Sequence, residues 1–249
     1  MMHALARSAL FGVLLSTASL SFAAQTQVAV AANFTEPAKE IAAAFAKATG
    51  DTAVLSFGSS GAFYTQMANG APFEVFLSAD AERPKKAEKD GLAVPGSRFT
   101  YAIGRLVLYS AISGVVDASG AVLKTGSFAH LSIADPAAAP YGLAAMQTIA
   151  KLGLTAPLAA KIVKGSSITQ AYQFVATGAA ELGFVAESQV INVPGGSRWL
   201  VPANDHEPID QEAVVLKTGA ANPAAAAFAK FLRGPEAVAI IKRYGYEVN

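Results

Sequence analysis

From residue 27 onward the chain repeats one local pattern: a short run rich in Val, Ile, Leu or Phe, a turn of small residues, then a stretch with helical spacing of its apolar positions. This alternation constrains the fold more than any other feature, because strands joined through helices pair in parallel and lie under those helices. Residues 27–31 (Gln-Val-Ala-Val-Ala) lead into a helix predicted over 35–49, whose Ala38, Ile41, Phe45 and Ala48 share one face. Residues 53–57 pass through Gly-Ser-Ser-Gly into a helix predicted over 62–68. Residues 74–78 precede one over 81–89 that Asp90-Gly91 closes. The fold class is therefore α/β.

The stretch 101–109, Tyr-Ala-Ile-Gly-Arg-Leu-Val-Leu-Tyr, is too long and too rich in β-formers for a tight connection, and is expected as a strand that carries the chain elsewhere. The pattern then resumes: 131–135 before a helix over 142–151, 161–164 before one over 168–177, and 182–186. A second β-rich stretch, 211–217, mirrors the first and precedes two helices near the C-terminus. Two long strands bracketing a middle block imply one lobe inserted into another. The expected organisation is residues 24–103 as the first part of lobe I, 104–207 as lobe II, and 208–249 as a return strand and helices packing back toward lobe I.

Residues 1–23 stand apart. A basic start (His3, Arg7), an apolar run over 9–20 and small residues at Ser21 and Ala23 read as a cleavable signal peptide cut after Ala23. The run is short of the roughly 20 apolar residues a spanning helix needs, so no membrane insertion is expected. The chain has no cysteine, which excludes a lipoprotein anchor, a disulfide framework, a thiolate metal site and a cysteine nucleophile. The mature chain is expected to be periplasmic. Lys plus Arg number 19 against 18 Asp plus Glu, and the leader removes Arg7, which leaves the two signs balanced. Nucleic acid is not an expected partner for such a chain.

Catalytic signatures are missing: there is no G-x-S-x-G, no P-loop, no G-x-G-x-x-G and no H-E-x-x-H. His130 and His206 are isolated and are expected as solvated surface residues. No spacing pairs Asp80, Asp135 or Glu187 as acid and base, so capping and solvation are their expected roles. The chain does not read as an enzyme.

Four junctions stand out: 31–35 (Ala-Ala-Asn-Phe-Thr), 58–61 (Gly-Ser-Ser-Gly), 139–142 (Ala-Pro-Tyr-Gly) and 165–168 (Gly-Ser-Ser-Ile). Each places small or hydroxyl-bearing residues where a helix begins, and the first turn of a helix presents N–H groups without internal partners. Four such ends aimed at one cleft would supply about two units of positive potential, enough to hold a small dianion without a lysine or arginine. Read singly, each has a plainer role: Ser59, Ser60 and Ser167 as N-caps, Tyr141 as core filler, Asn33 in a left-handed turn. Their recurrence at the carboxyl ends of strands, where open α/β sheets place ligands, favours the binding role.

Residues 30–34 (Val-Ala-Ala-Asn-Phe), 56–61 (Ser-Phe-Gly-Ser-Ser-Gly), 70–80, 95–104, 139–143 (Ala-Pro-Tyr-Gly-Leu) and 234–238 resemble the periplasmic molybdate-binding proteins of ABC transporters, and the likeness covers nearly all of the mature chain. The resemblance implies a two-lobed, hinged periplasmic binding protein, each lobe a mixed sheet flanked by helices. It also implies that the chain binds molybdate or tungstate, uses no cofactor and works as a monomer with the membrane permease of an importer. By the same resemblance, the contacts come from Ala32, Asn33, Ser59 and Ser60 in one lobe, and from Tyr141 and the backbone of Ile168 in the other. Asn33, Ser60, Tyr141 and Ile168 would touch oxyanion oxygens without ligating molybdenum. Some members carry serine at the position of Asn33, alanine at that of Tyr141 and a tyrosine near Ala186; this chain lacks that last hydroxyl. The alternatives are a binding protein for another small anion such as sulfate, or a secreted hydrolase on the same scaffold.

Overall fold

The computed structural model describes residues 23–248, so that the signal peptide read over 1–23 lies, but for Ala23, outside the described residues. The chain starts with β1 (Gln25–Ala31), α1 (Thr35–Thr49), β2 (Thr52–Gly58), α2 (Ser60–Ala68), β3 (Val75–Leu77), α3 (Glu82–Lys89) and β4 (Phe99–Gly104). It continues through β5 (Leu106–Ser110), α4 (Val122–Thr125), β6 (Leu131–Ala134), α5 (Pro140–Lys151), α6 (Thr155–Leu158) and β7 (Ile162–Gly165). Then follow α7 (Ile168–Ala176), β8 (Leu182–Ala186), α8 (Glu187–Val190), β9 (Ser197–Leu200), β10 (Ile209–Val215), α9 (Pro223–Leu232) and α10 (Pro235–Arg243).

Two five-stranded mixed sheets result, in the orders β2-β1-β3-β10-β4 and β7-β6-β8-β5-β9. The strand–helix repeats supply the parallel pairs, β1 with β2 and β3, and β6 with β7 and β8. The connecting strands run antiparallel: β10 against β3 and β4, and β5 against β8 and β9. The chain changes sheets between Gly104 and Leu106, and returns between Leu200 and Ile209.

The stretch 101–109 is therefore two strands rather than one. β4 pairs only within the first sheet and β5 only within the second, and Arg105 between them belongs to neither. Its carbonyl instead accepts the N–H of Glu187 at 2.9 Å. β9, which the sequence reading did not contain, is four residues long and follows Gly195-Gly196, both in the left-handed region. Helices α2 and α5 begin at Ser60 and Pro140, two residues before their predicted starts. A proline at the first helical position lacks only an N–H that would have had no partner there.

Side-chain alternation along the strands builds a core on each face of both sheets. Val28 and Val30 of β1 pack with Phe45, Phe228 and Ile241 of the helices on one side, while Ala29 faces Phe63 and Met67 of α2 on the other. In the second sheet Leu106 and Leu108 join Ile133, Ile149 and Phe184, and Val107 and Tyr109 join Val175 and Val190. Each such buried Leu or Phe contributes about 1.5–3 kcal/mol. α1 ends on Gly50, whose φ of 81° lets its N–H close back onto Ala46. α5 lies so close on β6 that a Cβ on Gly142 would sit 2.1 Å from the Ala134 carbonyl oxygen, which anchors the start of that helix.

Candidate functional site

The starts of α1, α2, α5 and α7 meet at one small cavity between the sheets. Ala32 and Asn33 open a 3-10 turn that runs into α1 from the end of β1. Ser59 and Ser60 stand after β2, Ala139, Pro140 and Tyr141 after β6, and Ile168 after β7; all line the same cavity. The six residues that the resemblance singles out, Ala32, Asn33, Ser59, Ser60, Tyr141 and Ile168, are thus brought together, and none is more than 7% exposed. The lining contains no charged residue and no histidine. Asn33 is not left-handed, since no described residue other than glycine has a positive φ.

The local chemistry of the site follows from what each group already does. Ser60 Oγ accepts the N–H of Ala79 at 2.9 Å, and Tyr141 Oη accepts Nε2 of Gln211 at 3.1 Å. A hydroxyl has one hydrogen, and when an N–H occupies a lone pair that hydrogen points elsewhere. Ser60 Oγ donates to no other described group, so its O–H is available to the cavity; the Tyr141 O–H has the neighbouring Tyr246 phenol as its other partner, and a ligand oxygen in the cavity would compete with it. Ser59 leads α2 without a side-chain capping bond, and its hydroxyl is likewise free. Ser167, by contrast, caps α7 by accepting from the Gln170 N–H. First-turn N–H groups other than those of Gly61 and Gln170, which donate to the Ala138 carbonyl and to Ser167, can add donors, and each helix start carries about half a positive charge from its dipole. The arrangement is a nest of neutral donors suited to an anion.

Asn33 lines the cavity, yet its side chain is committed behind it. Both Nδ2 hydrogens are used, one to Gln211 Oε1 and one to Tyr246 Oη, each at 2.9 Å. Its carbonyl accepts Ser188 Oγ and Tyr246 Oη, both at 2.8 Å. With both side-chain hydrogens committed, the donor that Asn33 has left is its main-chain N–H. Gln211 Oε1 also accepts from Tyr101 Oη at 3.0 Å. Sequence reasoning missed Gln211, Tyr101, Tyr246 and Ser188. The one signal for them was a Gln at the head of the β-rich run 211–217, which reads equally as the solvated start of a strand.

The lobes touch around the cavity. The Gly61 N–H donates to the Ala138 carbonyl at 2.9 Å, and Arg83, itself paired with Asp80, donates to the Ala137 carbonyl at 3.1 Å. A Cβ on Gly61 would stand 3.0 Å from the Ala138 backbone, so a larger residue there would press the two lobes apart by a few tenths of an ångström. The Ser188–Asn33 and Gln211–Tyr141 bonds join the lobes on the side where the chain crosses between them. Asp135 holds its own loop by accepting the Ala137 N–H, Glu187 stands 3.7 Å from Arg105, and His130 is exposed beside Glu181. These groups are dispersed, and none faces Ser60.

Burial pushes the phenols of Tyr101 and Tyr141 well above their ordinary value, and that of Tyr246 up to about 12. Desolvation is the main cause in each, because a buried phenolate would lose its hydration. The donors therefore stay protonated, and a stability prediction follows. The unfolded chain releases these protons near pH 10 while the folded chain keeps them, so stability from this source is intact below pH 10 and falls as pH rises toward 12. The slope is about 1.4 kcal/mol per pH unit for each of the three tyrosines. Melting temperatures recorded from pH 8 to 11.5 should be flat to about 10 and then drop steeply, with a shallower drop in Tyr141→Phe. A level curve to 11.5 would contradict the assignment.

Residues 26–247 match the model of the family described as bacterial extracellular solute-binding protein. The molybdate-binding protein ModA of Azotobacter vinelandii is 60% identical over 227 residues, which cover 90% of each chain. ModA of Rhodobacter capsulatus is 59% identical over 224 residues, covering 90% of this chain and 88% of that one. The solved structure of the periplasmic molybdate-binding protein of Azotobacter vinelandii superposes with a TM-score of 0.88 at 48% identity, across 90% of this chain and 99% of the other. With a match that runs from the first strand to the C-terminal residues, and with two helix-flanked mixed sheets closing on a donor-lined cavity, the chain belongs to the bacterial extracellular solute-binding protein family.

Proposed function

We propose that this chain is the periplasmic solute-binding component of an ABC importer for molybdate, and that it also takes tungstate. The observation that carries the reading is the donor set: four helix starts and two oriented hydroxyls from opposite lobes around an uncharged cavity. The names of relatives about 60% identical over nine-tenths of the chain agree with it. Ala32, Asn33, Ser59, Ser60, Tyr141 and Ile168 bind the oxyanion through its oxygens. Hydrogen bonds to a charged acceptor contribute about 1.5–3 kcal/mol each, so six or seven donors offset much of the dianion's desolvation.

Selectivity rests on two terms. Monohydrogen phosphate brings a proton that needs an acceptor, and a buried polar group left unpaired costs about 1–3 kcal/mol. Sulfate matches molybdate in charge and shape but is smaller, so donors set for the larger ion reach it poorly. Each lobe supplies part of the set, so the anion favours the closed state by the contacts that only closure completes. The permease then reads closure from a monomeric, exported protein with no catalytic role and no cofactor.

Calorimetric titration of the mature protein with molybdate, tungstate, sulfate and phosphate tests this reading. Molybdate and tungstate should bind at similar strength and far more tightly than the other two. Molybdate binding no tighter than sulfate would reject it.

A further inference from the structure

Behind the cavity, and outside the ligand contacts named above, lies a fully buried amide that joins both lobes. Gln211 sits on β10, the strand by which the chain returns to the first sheet, at the point where its pairing with β4 shifts register. Its two ends do opposite things. Nε2 donates to Tyr141 Oη at 3.1 Å, while Oε1 accepts from Asn33 Nδ2 at 2.9 Å and from Tyr101 Oη at 3.0 Å. Tyr101 also approaches the Ser78 carbonyl at 3.1 Å, and Asn33 continues the chain of bonds to Tyr246. An amide is polar in a directed sense, so its orientation decides which way the adjoining hydroxyl faces.

We propose that Gln211 is a positioning residue that fixes the polarity of this network, holding Tyr141 as a donor toward the cavity so that the site takes fully deprotonated oxyanions and refuses protonated ones. The proposal rests on the reading of the site as an oxyanion site. With Nε2 on its lone pair, Tyr141 cannot turn its hydrogen to Gln211, and a ligand oxygen in the cavity competes for that hydrogen with the Tyr246 phenol alone. Were Gln211 to present an acceptor instead, the Tyr141 hydrogen would turn back to it, and an oxygen lone pair would face the cavity. That surface repels a bare dianion and welcomes an oxyanion bearing a hydrogen. The amide side chain thus sets a chemical choice at a distance of one residue.

Two substitutions separate this role from packing. Gln211→Glu supplies an acceptor at both ends and reverses the polarity; Gln211→Met fills similar space with no hydrogen bonds. The readout is the ratio of molybdate to phosphate affinity at neutral pH, measured by calorimetry on the mature protein, with melting temperature recorded for each variant. Gln211→Glu is expected to lower that ratio by about tenfold or more, the value of one reoriented hydrogen bond to a charged ligand. Since Gln211 acts through Tyr141, Gln211→Met should weaken molybdate binding by about tenfold in the native background and by less than about threefold beside Tyr141→Phe. This second comparison decides the matter if Gln211→Glu does not fold. An unchanged ratio in folded Gln211→Glu, or an equal effect of Gln211→Met in both backgrounds, would overturn the assignment while leaving the site's function intact. Failure of the unaltered chain to prefer molybdate would overturn the functional reading, and this inference with it.

Discussion

Gly104→Ala is expected to weaken molybdate binding by about 3 kcal/mol, roughly a hundredfold, although the residue touches no ligand. Gly104 ends β4 opposite Ile209, immediately before the chain crosses to the second lobe. Its φ is not in the left-handed region, so the position demands space and not conformational freedom. A Cβ there would lie 2.2 Å from Tyr141 Oη and 2.6 Å from Gln211 Nε2. Both groups must move, and with them go the donor from Tyr141 and the bond that holds Asn33. Loss of a hydrogen bond to a charged ligand accounts for about 1.5–3 kcal/mol, and displacement of the amide adds to it. Overpacking of this kind also costs about 1–3 kcal/mol of stability, so calorimetry should be run well below a lowered melting temperature. Native affinity in the folded variant would show that the Tyr141 hydroxyl does not serve the ligand.

The double substitution Ser60→Ala with Tyr141→Phe is expected to have the larger effect. The two hydroxyls come from different lobes and belong to separate networks, one on the Ala79 N–H and the other on Gln211. Each removed donor costs about 1.5–3 kcal/mol against a dianion, and independent sites add, which gives about 3–6 kcal/mol, or a hundredfold to ten-thousandfold in affinity. The single variants should each show half of this. Ser60→Ala also strips the buried Ala79 N–H of its acceptor, so the unliganded protein should melt lower by an amount corresponding to about 1–3 kcal/mol. Tyr141→Phe leaves Gln211 Nε2 without its partner and should act on stability in the same direction. Affinity within threefold of native in the folded double variant would place the ligand elsewhere.

These expectations depend on contacts whose legibility in the sequence was uneven. The four junctions were readable because each is local: a strand, a small-residue turn and a helix start lie within a dozen residues, and the physics of unpaired first-turn N–H groups needs no distant partner. Their convergence followed from the rule that parallel strands present their carboxyl ends on one side. The crossing at Arg105 was not readable. Val107 and Tyr101 are equally good β-formers, and only their pairing with strands 80 to 110 residues away assigns them to different sheets. The buried cluster of Gln211, Tyr101, Tyr246 and Ser188 failed for the same reason. Asn33 meets Tyr246 across 213 residues and Gln211 across 178, and nothing near any of them in the chain marks the encounter. Asn33 itself reads as a site residue from its junction alone, but the work of its side chain, which is to organise the layer behind the cavity, is visible only with its partners in place.

The role of the lobes follows from the same geometry. Gly61 on Ala138 and Arg83 on Ala137 join the lobes on one side, and Gln211 on Tyr141, with Ser188 on Asn33 and Tyr246, joins them on the other. Under the proposed function, an anion that engaged both hydroxyls would favour this arrangement by the contacts it makes there and not in a separated one, and a partner that recognised the arrangement would sense the ligand without touching it.

Whether uncharged amides and hydroxyls from both lobes hold the anion is decided by diffraction from crystals of the molybdate complex with anomalous data at the molybdenum edge. One anomalous peak is expected in the cavity among Ser60, Tyr141 and Ile168, with oxyanion oxygens at hydrogen-bond distance from those groups and no lysine or arginine side chain in contact. A peak outside that cavity, or one bound chiefly by cationic side chains, would contradict that expectation.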